Sequence, residues 1–354
     1  MKTIKKLDDK VILDGQEMSL SADTRGKRAK FWIESGKTER KRDYLVKFSR
    51  NEVSCENFGE ILFSRLCQQV GLDCVDYHLV TVEEGQEQSQ GVISENYNAS
   101  INDFEVSAYT LAEAYKNFSY DNFAGLEIES KHTIDFYIEA LKVVTKCSDS
   151  VLEKLRNDLL KLSLLDYLTM QSDRHWFNIS FSLNSLIGDD SLKLTKIYDS
   201  GNCFLLNRGR RTISEYAKQF ARSRNLDKLI FDYTVTKQPM LGLSTDLTQL
   251  ETSIKDDNTA GSQKMISRCD VKSLEIFERE LAEEIVRNAE LRNFFALAID
   301  KLSVEEAVKD IRESEGDCPD YVEQVATSIL DCKKRRLQKL VAKALESVEE
   351  IEAE

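Results

Sequence analysis

The sequence predicts an α+β fold with two parts. Residues 1–97 form a small, strand-rich part, and residues 98–354 form a larger, mainly helical part. Segments rich in β-branched and aromatic residues dominate the first third of the chain, whereas apolar residues at three- and four-residue spacing dominate the rest. Only 2 of the 354 residues are Pro, so long helices can form without interruption, and the length is sufficient for two lobes.

The composition is typical of a folded protein, with 41% hydrophobic and 31% charged residues. A formal net charge of -13 disfavours general nucleic-acid binding, because affinity for phosphate backbones depends on Lys and Arg. No segment has the roughly 18 consecutive apolar residues that a membrane span needs. The N-terminus also lacks the apolar stretch of a secretory signal. We therefore expect a protein without a membrane span that is not exported by the Sec pathway.

The cysteines indicate reduced thiols in a cytoplasm, several of them buried. They are scattered singly, without a C-x-x-C pair, and only 3 His accompany them, which leaves little material for a Cys/His metal site. The 8 cysteines are Cys55, Cys67, Cys74, Cys147, Cys203, Cys269, Cys318 and Cys332.

Four strands and one helix are predicted in the first part. A hairpin of two strands precedes the helix, Gly71 ends the helix, and two further strands follow. The strands cover Lys30–Ile33, Asp43–Phe48, Tyr77–Val82 and Gly91–Ser94, and the helix covers Asn57–Val70.

The second part begins at about Asn98 with helices, contains one hairpin and then returns to helices. The hairpin is predicted from two alternating segments around a turn at Gly188–Asp190. The C-terminal segment is amphipathic with alternating charge, which favours a solvated helix packed on this part. The predicted elements are helices Ile134–Thr145 and Val151–Thr169, strands Ile179–Leu183 and Leu192–Tyr198, and helices over most of Ser214–Glu354.

Polar residues follow the second of these helices and the end of the hairpin. Asp173 and Asn178 form a D-x-x-x-x-N pattern before the hairpin, and Asp199 follows its second strand two residues before Gly201. In phosphoryl transfer, one Asp orients the attacking hydroxyl, while an Asn and a second Asp bind the Mg²⁺ that bridges the phosphates. Carboxylate and amide oxygens suit this hard cation. The set predicts a site for ATP and Mg²⁺ on the hairpin 173–201.

Each residue of this set also has a purely structural interpretation. Asp173 can be a helix-end residue, Asp199 a turn residue, and His175 a residue that holds a loop. Trp176 and Phe177 are residue types that more often belong to a core than to a substrate site.

Lys47 lies inside the apolar segment Tyr-Leu-Val-Lys-Phe. A buried ammonium there needs an anionic partner, because an uncompensated charge is costly. Glu60 on the following helix is the predicted partner, and Glu56, one turn earlier, is a competing one. Alternatively, Lys47 lies at an exposed strand edge.

In their order, these segments resemble the HipA-like kinases, including the shorter CtkA-type branch. The resemblance covers residues 20–205, and D-R-H-x-x-N also resembles phosphoinositide kinases, which share the wider fold. The matching segments are K-F-W-I, Y-L-V-K-F, E-x-x-x-x-R-L-C-Q-Q-V-G-L, S-D-R-H-W-F-N-I-S-F and I-Y-D-S-G-N.

The resemblance implies a bilobal, protein-kinase-like fold with ATP and Mg²⁺ bound between the lobes. Lys47 would hold the ATP phosphates and Glu60 would position it. Asp173 would be the catalytic base, a role that His175 could share, and Arg174 would assist beside the γ-phosphate. Asn178 and Asp199 would bind Mg²⁺. The hinge that meets adenine would consist of Ser94, Glu95, Asn96 and Tyr97.

By the same resemblance, the loop Ser21–Arg28 would cover the phosphates, with Arg25 and Gly26 in contact with ATP. This loop departs from the G-x-G-x-x-G pattern, since it contains one Gly. Candidates for autophosphorylation are Ser19, Ser21 and Thr24. The basic run Asn207–Ser214 lies where an activation segment belongs and either binds phosphates or an acidic substrate or is a solvated loop.

The functional prediction is a Ser/Thr protein kinase of the HipA-like class, of toxin or effector type, that acts in the cytoplasm or inside a host cell. A protein substrate and an antitoxin or other regulatory protein are the implied partners. The short stretch before the strand at Lys30 implies that the extra N-terminal subdomain of full-length HipA-type chains is absent or minimal. The alternatives are a lipid or small-molecule kinase, a nucleotide-binding pseudokinase, or a helical protein with accidental motifs.

Overall fold

The computed structural model describes residues 2–7, 10–22, 28–34, 42–49, 54–98, 100–118, 132–235, 241–243 and 271–353. Within these residues the chain forms ten strands and ten α-helices, with seven of the strands before residue 98 and nine of the helices after it. The predicted mixture of strands and helices is confirmed.

Seven strands close into a barrel in the order β1-β2-β3-β4-β5-β7-β6. Strands β1 and β6 pair in parallel and close the barrel, and the other neighbours are antiparallel. Alternate side chains point inwards and form their own apolar cluster, which includes Ile4, Ile33, Val46 and Ile93. The strands are β1 Lys2–Lys6, β2 Lys10–Leu13, β3 Gln16–Ala22, β4 Lys30–Glu34, β5 Tyr44–Phe48, β6 Tyr77–Glu84 and β7 Glu87–Glu95.

The first three strands were not predicted. No strand is predicted from the sequence before Lys30, whereas this stretch supplies three of the seven barrel strands. Strand β1 contains a single buried residue, Ile4, and its other residues are Thr3 and three lysines, so its sequence has almost no strand signal. Its burial depends on closure of the barrel against β6.

Helix α1 (Glu56–Gln69) lies inside the molecule, with residues 56–67 all buried. It contacts the barrel through β6 and β7 and the helical part through residues 203–205. The helix ends before Gly71, as predicted. Gly71 has a left-handed backbone conformation, with φ of +69°, which is common for glycine after a helix. This central helix therefore lies next to both parts of the candidate site, one on the barrel and one on the helical part.

A second sheet of three antiparallel strands has the order β10-β9-β8. It contains β8 (Asp103–Ser107), which was not predicted, β9 (Ser180–Asn184) and β10 (Lys193–Leu194). The second hairpin strand is thus far shorter than the predicted Leu192–Tyr198. The reason is that the chain changes partners: Ile197 N donates to Asp73 O at 3.0 Å, and Ile197 pairs in parallel with Cys74.

The remaining helices share one apolar core with α1. The C-terminal helix α10 packs on α7, α5 and α9 among others, as predicted for a helix that covers the helical part. No helix among the described residues is long and apolar enough to cross a membrane. The helices are α2 Ala108–Phe118, α3 Ile134–Val144, α4 Asp149–Leu168, α5 Arg210–Arg222, α6 Leu226–Val235, α7 Val271–Arg287, α8 Ala289–Lys301, α9 Val304–Ser314 and α10 Asp320–Ala353.

The described cysteines are free thiols, and all except Cys147 are buried, which agrees with the prediction of reduced cysteines. In the same part of the chain, no cluster of three or more His, Cys, Asp or Glu side chains could hold a metal ion.

An ionic network joins α1 and β6 to the end of α9. Arg65 on α1 lies 2.5 Å from Asp76, 2.6 Å from Asp310 and 3.3 Å from Glu315. Glu315 also accepts hydrogen bonds from Leu79 N at 3.0 Å and from His78 Nδ1 at 2.5 Å. Hydrogen bonds to Asp76 and Glu315 raise the pKa of His78 to about 9. The imidazolium therefore helps to attach the barrel to the helices at neutral pH.

We expect His78→Gln to lower the free energy of unfolding in a pH-dependent manner. Because the folded-state pKa of His78 is raised to about 9, its stabilising effect is complete below its ordinary pKa and is lost as the pH rises through 9. Urea unfolding of both proteins should show the largest difference at about pH 6 and little difference at about pH 9.5. A difference that stays constant over this range would contradict the charged state assigned to His78.

Candidate active site

The site is centred on the ammonium group of Lys47, which β5 places in the interior with 6% of the residue exposed. Its Nζ lies 3.3 Å from Asp199 Oδ1, 3.7 Å from Glu60 Oε1 and 3.0 Å from Tyr77 Oη. Burial alone would lower the pKa of Lys47, but Asp199 and Glu60 more than offset this effect, so the pKa is raised. The structure thereby excludes an exposed strand edge for Lys47.

Glu60 is shared between two cations. Its Oε1 lies 2.6 Å from Arg28 Nη1, closer than Lys47, and its Oε2 accepts a 2.8 Å hydrogen bond from Ser200 N. The residue is fully buried. Glu56, the competing candidate, lies 4.0 Å from Arg28 Nε. Arg28 was placed only at the end of the predicted phosphate loop, and its direct contact with Glu60 was not predicted.

Two glycines let α1 approach the segment that contains Asp199. A Cβ atom on Gly59 would lie 2.5 Å from Gly201 O, and one on Gly201 would lie 3.0 Å from Glu56 O. Side chains at these two positions would separate the backbones. The direct backbone contact is what allows Glu60 to reach Ser200 N.

Asp199 has a left-handed backbone conformation, with φ of 56°. For a residue other than Gly this conformation costs on the order of 1–3 kcal/mol, and such strain is common at functional sites. Burial would raise the pKa of Asp199, but Lys47 and Arg28 hold it well below its usual range. The side chain remains 38% exposed. The result is an ionised carboxylate that is open to a ligand.

Asp173 and Asn178 lie in the loop between α4 and β9. Asn178 Nδ2 donates to Asp173 O at 2.7 Å, and Asn202 Nδ2 donates to Asp173 Oδ2 at 2.5 Å. His175 Nε2 lies 3.9 Å from Asp173 Oδ1, which is close but beyond hydrogen-bond distance. The predicted residues 173, 175 and 178 are therefore neighbours. The contact of Asn202 with Asp173 was not predicted.

Gln171 connects the two acidic segments. Its side-chain oxygen accepts from Asp173 N at 3.2 Å, and its Nε2 donates to Asp199 O at 3.5 Å. The residue is fully buried. Together with Asn202, Gln171 holds the loop of Asp173 next to the segment of Asp199. The sequence predicted that these two acidic residues lie close together.

Arg174, which the sequence predicted to assist beside the γ-phosphate, has its hydrogen-bond partners inside the protein. It is fully buried and forms a two-pronged ion pair with Asp166 of α4, at 2.9 and 3.0 Å. Its other donors bind Tyr198 O at 2.8 Å and Ser200 Oγ at 3.0 Å. Because its hydrogen bonds are all made inside the protein, Arg174 anchors the loop and the Asp199 segment to α4.

The predicted hinge lies at the end of β7, where Ser94 pairs with Leu45 and Glu95 with Tyr44 of β5. Asn96 Nδ2 donates to Arg42 O at 2.7 Å. The ring of Tyr97 stacks on Tyr198 with centroids 5.9 Å apart. The segment therefore adjoins the residue that precedes Asp199.

The remaining predicted residues are only partly described. Ser19 and Ser21 lie on β3, paired with Glu34 and Trp32, and not in a loop. Thr24, Arg25 and Gly26 lie outside the described residues. The basic run Asn207–Ser214 is not one loop, since α5 begins at Arg210, while Gly209 pairs with Ser54. Arg208, Arg210 and Arg211 are exposed.

Comparisons with known proteins show which family and which solved structures the chain resembles. A sequence profile of the HipA-like C-terminal domain matches residues 22–288. The crystal structure of CtkA, a proinflammatory kinase of Helicobacter pylori, superposes with a TM-score of 0.59 at 12% identity, over 92% of this chain and 97% of that one. HipA of Shewanella oneidensis MR-1, in a complex with HipB and operator DNA, gives a TM-score of 0.49 at 14% identity, over 90% of this chain and 67% of that one.

None of the curated proteins that were compared matches the chain. The likeness to CtkA shows a common fold, and the profile match over most of the chain agrees with the motifs quoted above. The chain belongs to the family of HipA-like C-terminal domains.

Proposed function

We propose that the protein transfers the γ-phosphoryl group of ATP, with Mg²⁺, to a Ser or Thr hydroxyl of a protein substrate. The observation that supports this proposal most directly is the convergence of Lys47, Glu60 and Asp199, which come from a strand, a helix and the segment after β10. Lys–Glu pairs of this kind position the lysine that binds ATP phosphates in kinases, and a strand-end Asp binds the metal.

Lys47 is proposed to bind the phosphate oxygens of ATP. In the described arrangement its ammonium is balanced by Asp199 at 3.3 Å and Glu60 at 3.7 Å. Glu60 itself is fixed by Arg28 and by Ser200 N. The Lys47 ammonium is therefore held in place on the side that faces Glu60. An anionic phosphate can therefore replace part of the carboxylate contact without leaving the ammonium uncompensated.

The donor set fits Mg²⁺. Asp199 is ionised and partly exposed, and Asn178 uses its NH₂ group on Asp173 O, which leaves its amide oxygen as an acceptor. Mg²⁺ is typically held by one or two protein oxygens together with substrate phosphates and water. When bound, the ion would neutralise charge on the phosphates. Asp199 and Asn178 would hold it in place.

Asp173 is proposed to accept the proton of the attacking hydroxyl. Asn202 orients the carboxylate through Oδ2, and Gln171 fixes the backbone through Asp173 N. His175, at 3.9 Å from Oδ1, is the second group that can take this proton.

We further propose that residues 1–97 and 98–354 act as the two lobes of a kinase, with adenine at Ser94–Tyr97 between them. The pairing of this segment with β5 and the stacking of Tyr97 on Tyr198 support this position, because they connect it to both Lys47 and Asp199. The phosphate loop and autophosphorylation at Ser19, Ser21 or Thr24 stay predictions of the sequence, as does an antitoxin-type protein partner.

Asp173→Ala and Asp199→Ala should both lower phosphoryl transfer, by at least about 100-fold. The variants differ in nucleotide binding: Asp199→Ala should weaken Mg²⁺-dependent binding of ATP, whereas Asp173→Ala should retain it. Transfer is measured with γ-labelled ATP and a generic acceptor protein, and binding is measured by thermal shift. Asp190→Ala, on the exposed turn before β10, is the matched control and should behave as wild type.

Wild-type turnover in either variant would rule out the assigned roles. Stabilisation by ATP–Mg²⁺ without label on any protein would instead indicate a lipid or small-molecule acceptor or a pseudokinase. Neither label nor stabilisation in the wild-type protein would contradict nucleotide binding altogether.

Lys47→Met should weaken ATP binding and phosphoryl transfer together, because it removes the cation that faces the phosphates. It should also return the pKa of Asp199 towards its ordinary value, since Lys47 is the strongest of the charges that lower it. The stability of the wild-type protein relative to Lys47→Met should therefore decline as the pH falls through the acidic range. Acid unfolding followed by circular dichroism measures this difference, and parallel curves for the two proteins would contradict the Lys47–Asp199 pair.

A further inference from the structure

The loop between α4 and β9 alternates between buried and accessible side chains from residue 173 to residue 178. The buried positions are Arg174, Trp176 and Asn178, and the accessible ones are Asp173, His175 and Phe177. Phe177 is the most accessible of them, with 57% of the residue exposed. Trp176 therefore belongs to the core, as its residue type suggests, whereas Phe177 lies on the same side of the loop as the proposed base.

The exposure of the Phe177 ring follows from a fixed backbone. Phe177 O accepts a 2.8 Å hydrogen bond from Tyr198 Oη, and Phe177 N donates to His175 Nδ1 at 3.2 Å. The preceding residue, Trp176, fills the core and packs its ring on the buried His132 with centroids 5.1 Å apart. Because the backbone is held at both its N–H and its C=O, the ring of Phe177 is kept at the surface.

A second accessible ring lies against the first. Tyr109, the second residue of α2, is 39% exposed and stacks on Phe177 with centroids 4.8 Å apart and an angle of 24° between the rings. Its backbone N donates to Trp176 O at 3.3 Å, which fixes α2 to the loop. Phe177 and Tyr109 thus form an aromatic platform. Rigid aromatic side chains of this kind are common in binding surfaces, because they bury a large area at a small cost in conformational entropy.

The aromatic platform adjoins the proposed base. The rings of Phe177 and His175 are 6.1 Å apart at an angle of 75°, and His175 Nε2 lies 3.9 Å from Asp173 Oδ1. One imidazole therefore separates the platform from the carboxylate. In an extended chain each residue advances about 3.3 Å, and alternate side chains point to the same side. When a Ser or Thr hydroxyl contacts Asp173, the side chain two positions away in the substrate is therefore within reach of Phe177.

Given the proposed transfer to a protein hydroxyl, we propose that the aromatic platform binds a large apolar side chain of the substrate, two positions before or after the phosphoacceptor. The substrate class is an extended segment in which Leu, Ile, Met, Phe, Tyr or Trp stands at that position. The contact removes apolar surface of both partners from water, which favours binding. Phe177 and Tyr109 determine specificity in this way, because they select which hydroxyl is presented to Asp173.

The first experiment identifies the preferred sequence around the phosphoacceptor. The full chain is incubated with ATP, Mg²⁺ and a dephosphorylated library of tryptic peptides from a bacterial lysate, and the phosphorylated sites are located by mass spectrometry. Sites modified by the wild-type protein should carry a large apolar residue at position −2 or +2 about two- to threefold more often than the other Ser and Thr sites of the library. Asp173→Ala is the blank that reveals contaminating kinases.

The second experiment tests the platform with two matched peptides that carry Leu or Ala at the enriched position. The ratio of their kcat/KM values, Leu over Ala, should be about 10 for the wild-type protein and should fall towards 1 in Phe177→Ala. Leu186→Ala, at an exposed apolar position of the turn after β9, is the matched control and should keep the wild-type ratio. Tyr109→Ala should lower the ratio, whereas Tyr109→Phe, which keeps the stacked ring, should retain it.

The ratio is independent of how much of a variant is folded, since a loss of active protein lowers both kcat/KM values equally. A lack of modified sites above the Asp173→Ala blank would contradict phosphoryl transfer to proteins, and the proposed substrate class would be wrong with it. Modified sites without an apolar preference at either position, or with a preference for Arg there, would overturn the role of the platform alone. An equal ratio in the wild-type protein and Phe177→Ala would overturn it as well.

Discussion

The interaction on which the rest of the site depends is the burial of the Lys47 ammonium among carboxylates. A charge with 6% exposure is tolerable in β5 only if anions reach it. They come from two other segments, Glu60 from the next helix, α1, and Asp199 from the segment after the hairpin. The approach requires that the backbones of Gly59 and Gly201 touch. One charge therefore sets how the barrel, the central helix and the segment after β10 fit together, and the same contacts leave the partly exposed carboxylate of Asp199 ionised.

A second buried ion pair, Arg174–Asp166, fixes the position of the loop that contains Asp173, as the contacts of Lys47 fix the barrel. Arg174 and Asp166 are both completely buried, and the guanidinium also binds Tyr198 O and Ser200 Oγ. Removing one member of such a pair leaves the other charge uncompensated, which costs about 3–5 kcal/mol. The loop and the Asp199 segment are thus fixed to α4 by one side chain. Proximity to Asp173 in sequence suggested a role at the phosphate, but burial gives Arg174 a structural one.

Elements with a clear hydrophobic periodicity of their own were predicted from the sequence. Elements that become buried only when the barrel closes, or when segments distant in the sequence pair, were not predicted. Strands β4–β7 and helices α1, α3 and α4 contain strong periodic signals, whereas β1 and β8 bury too few of their own residues to be recognised. Site residues with a motif were brought together as expected: Lys47, Glu60, Asp173, Asn178 and Asp199. Four of their partners have no local signal, because each contact joins segments that are distant in the sequence: Arg28, Tyr77, Gln171 and Asn202.

The two buried lysines show why burial alone does not determine what a side chain does. Lys47 and Lys333 are both almost inaccessible to solvent, yet the pKa of the first is raised and that of the second is lowered. Two carboxylates lie within 4.0 Å of Lys47, so its positive charge is compensated by the protein. Lys333 faces an aromatic ring, and the nearby Glu278 is bound by Arg336. Compensation by carboxylates, and not burial by itself, therefore decides the direction in which the pKa of a buried lysine shifts.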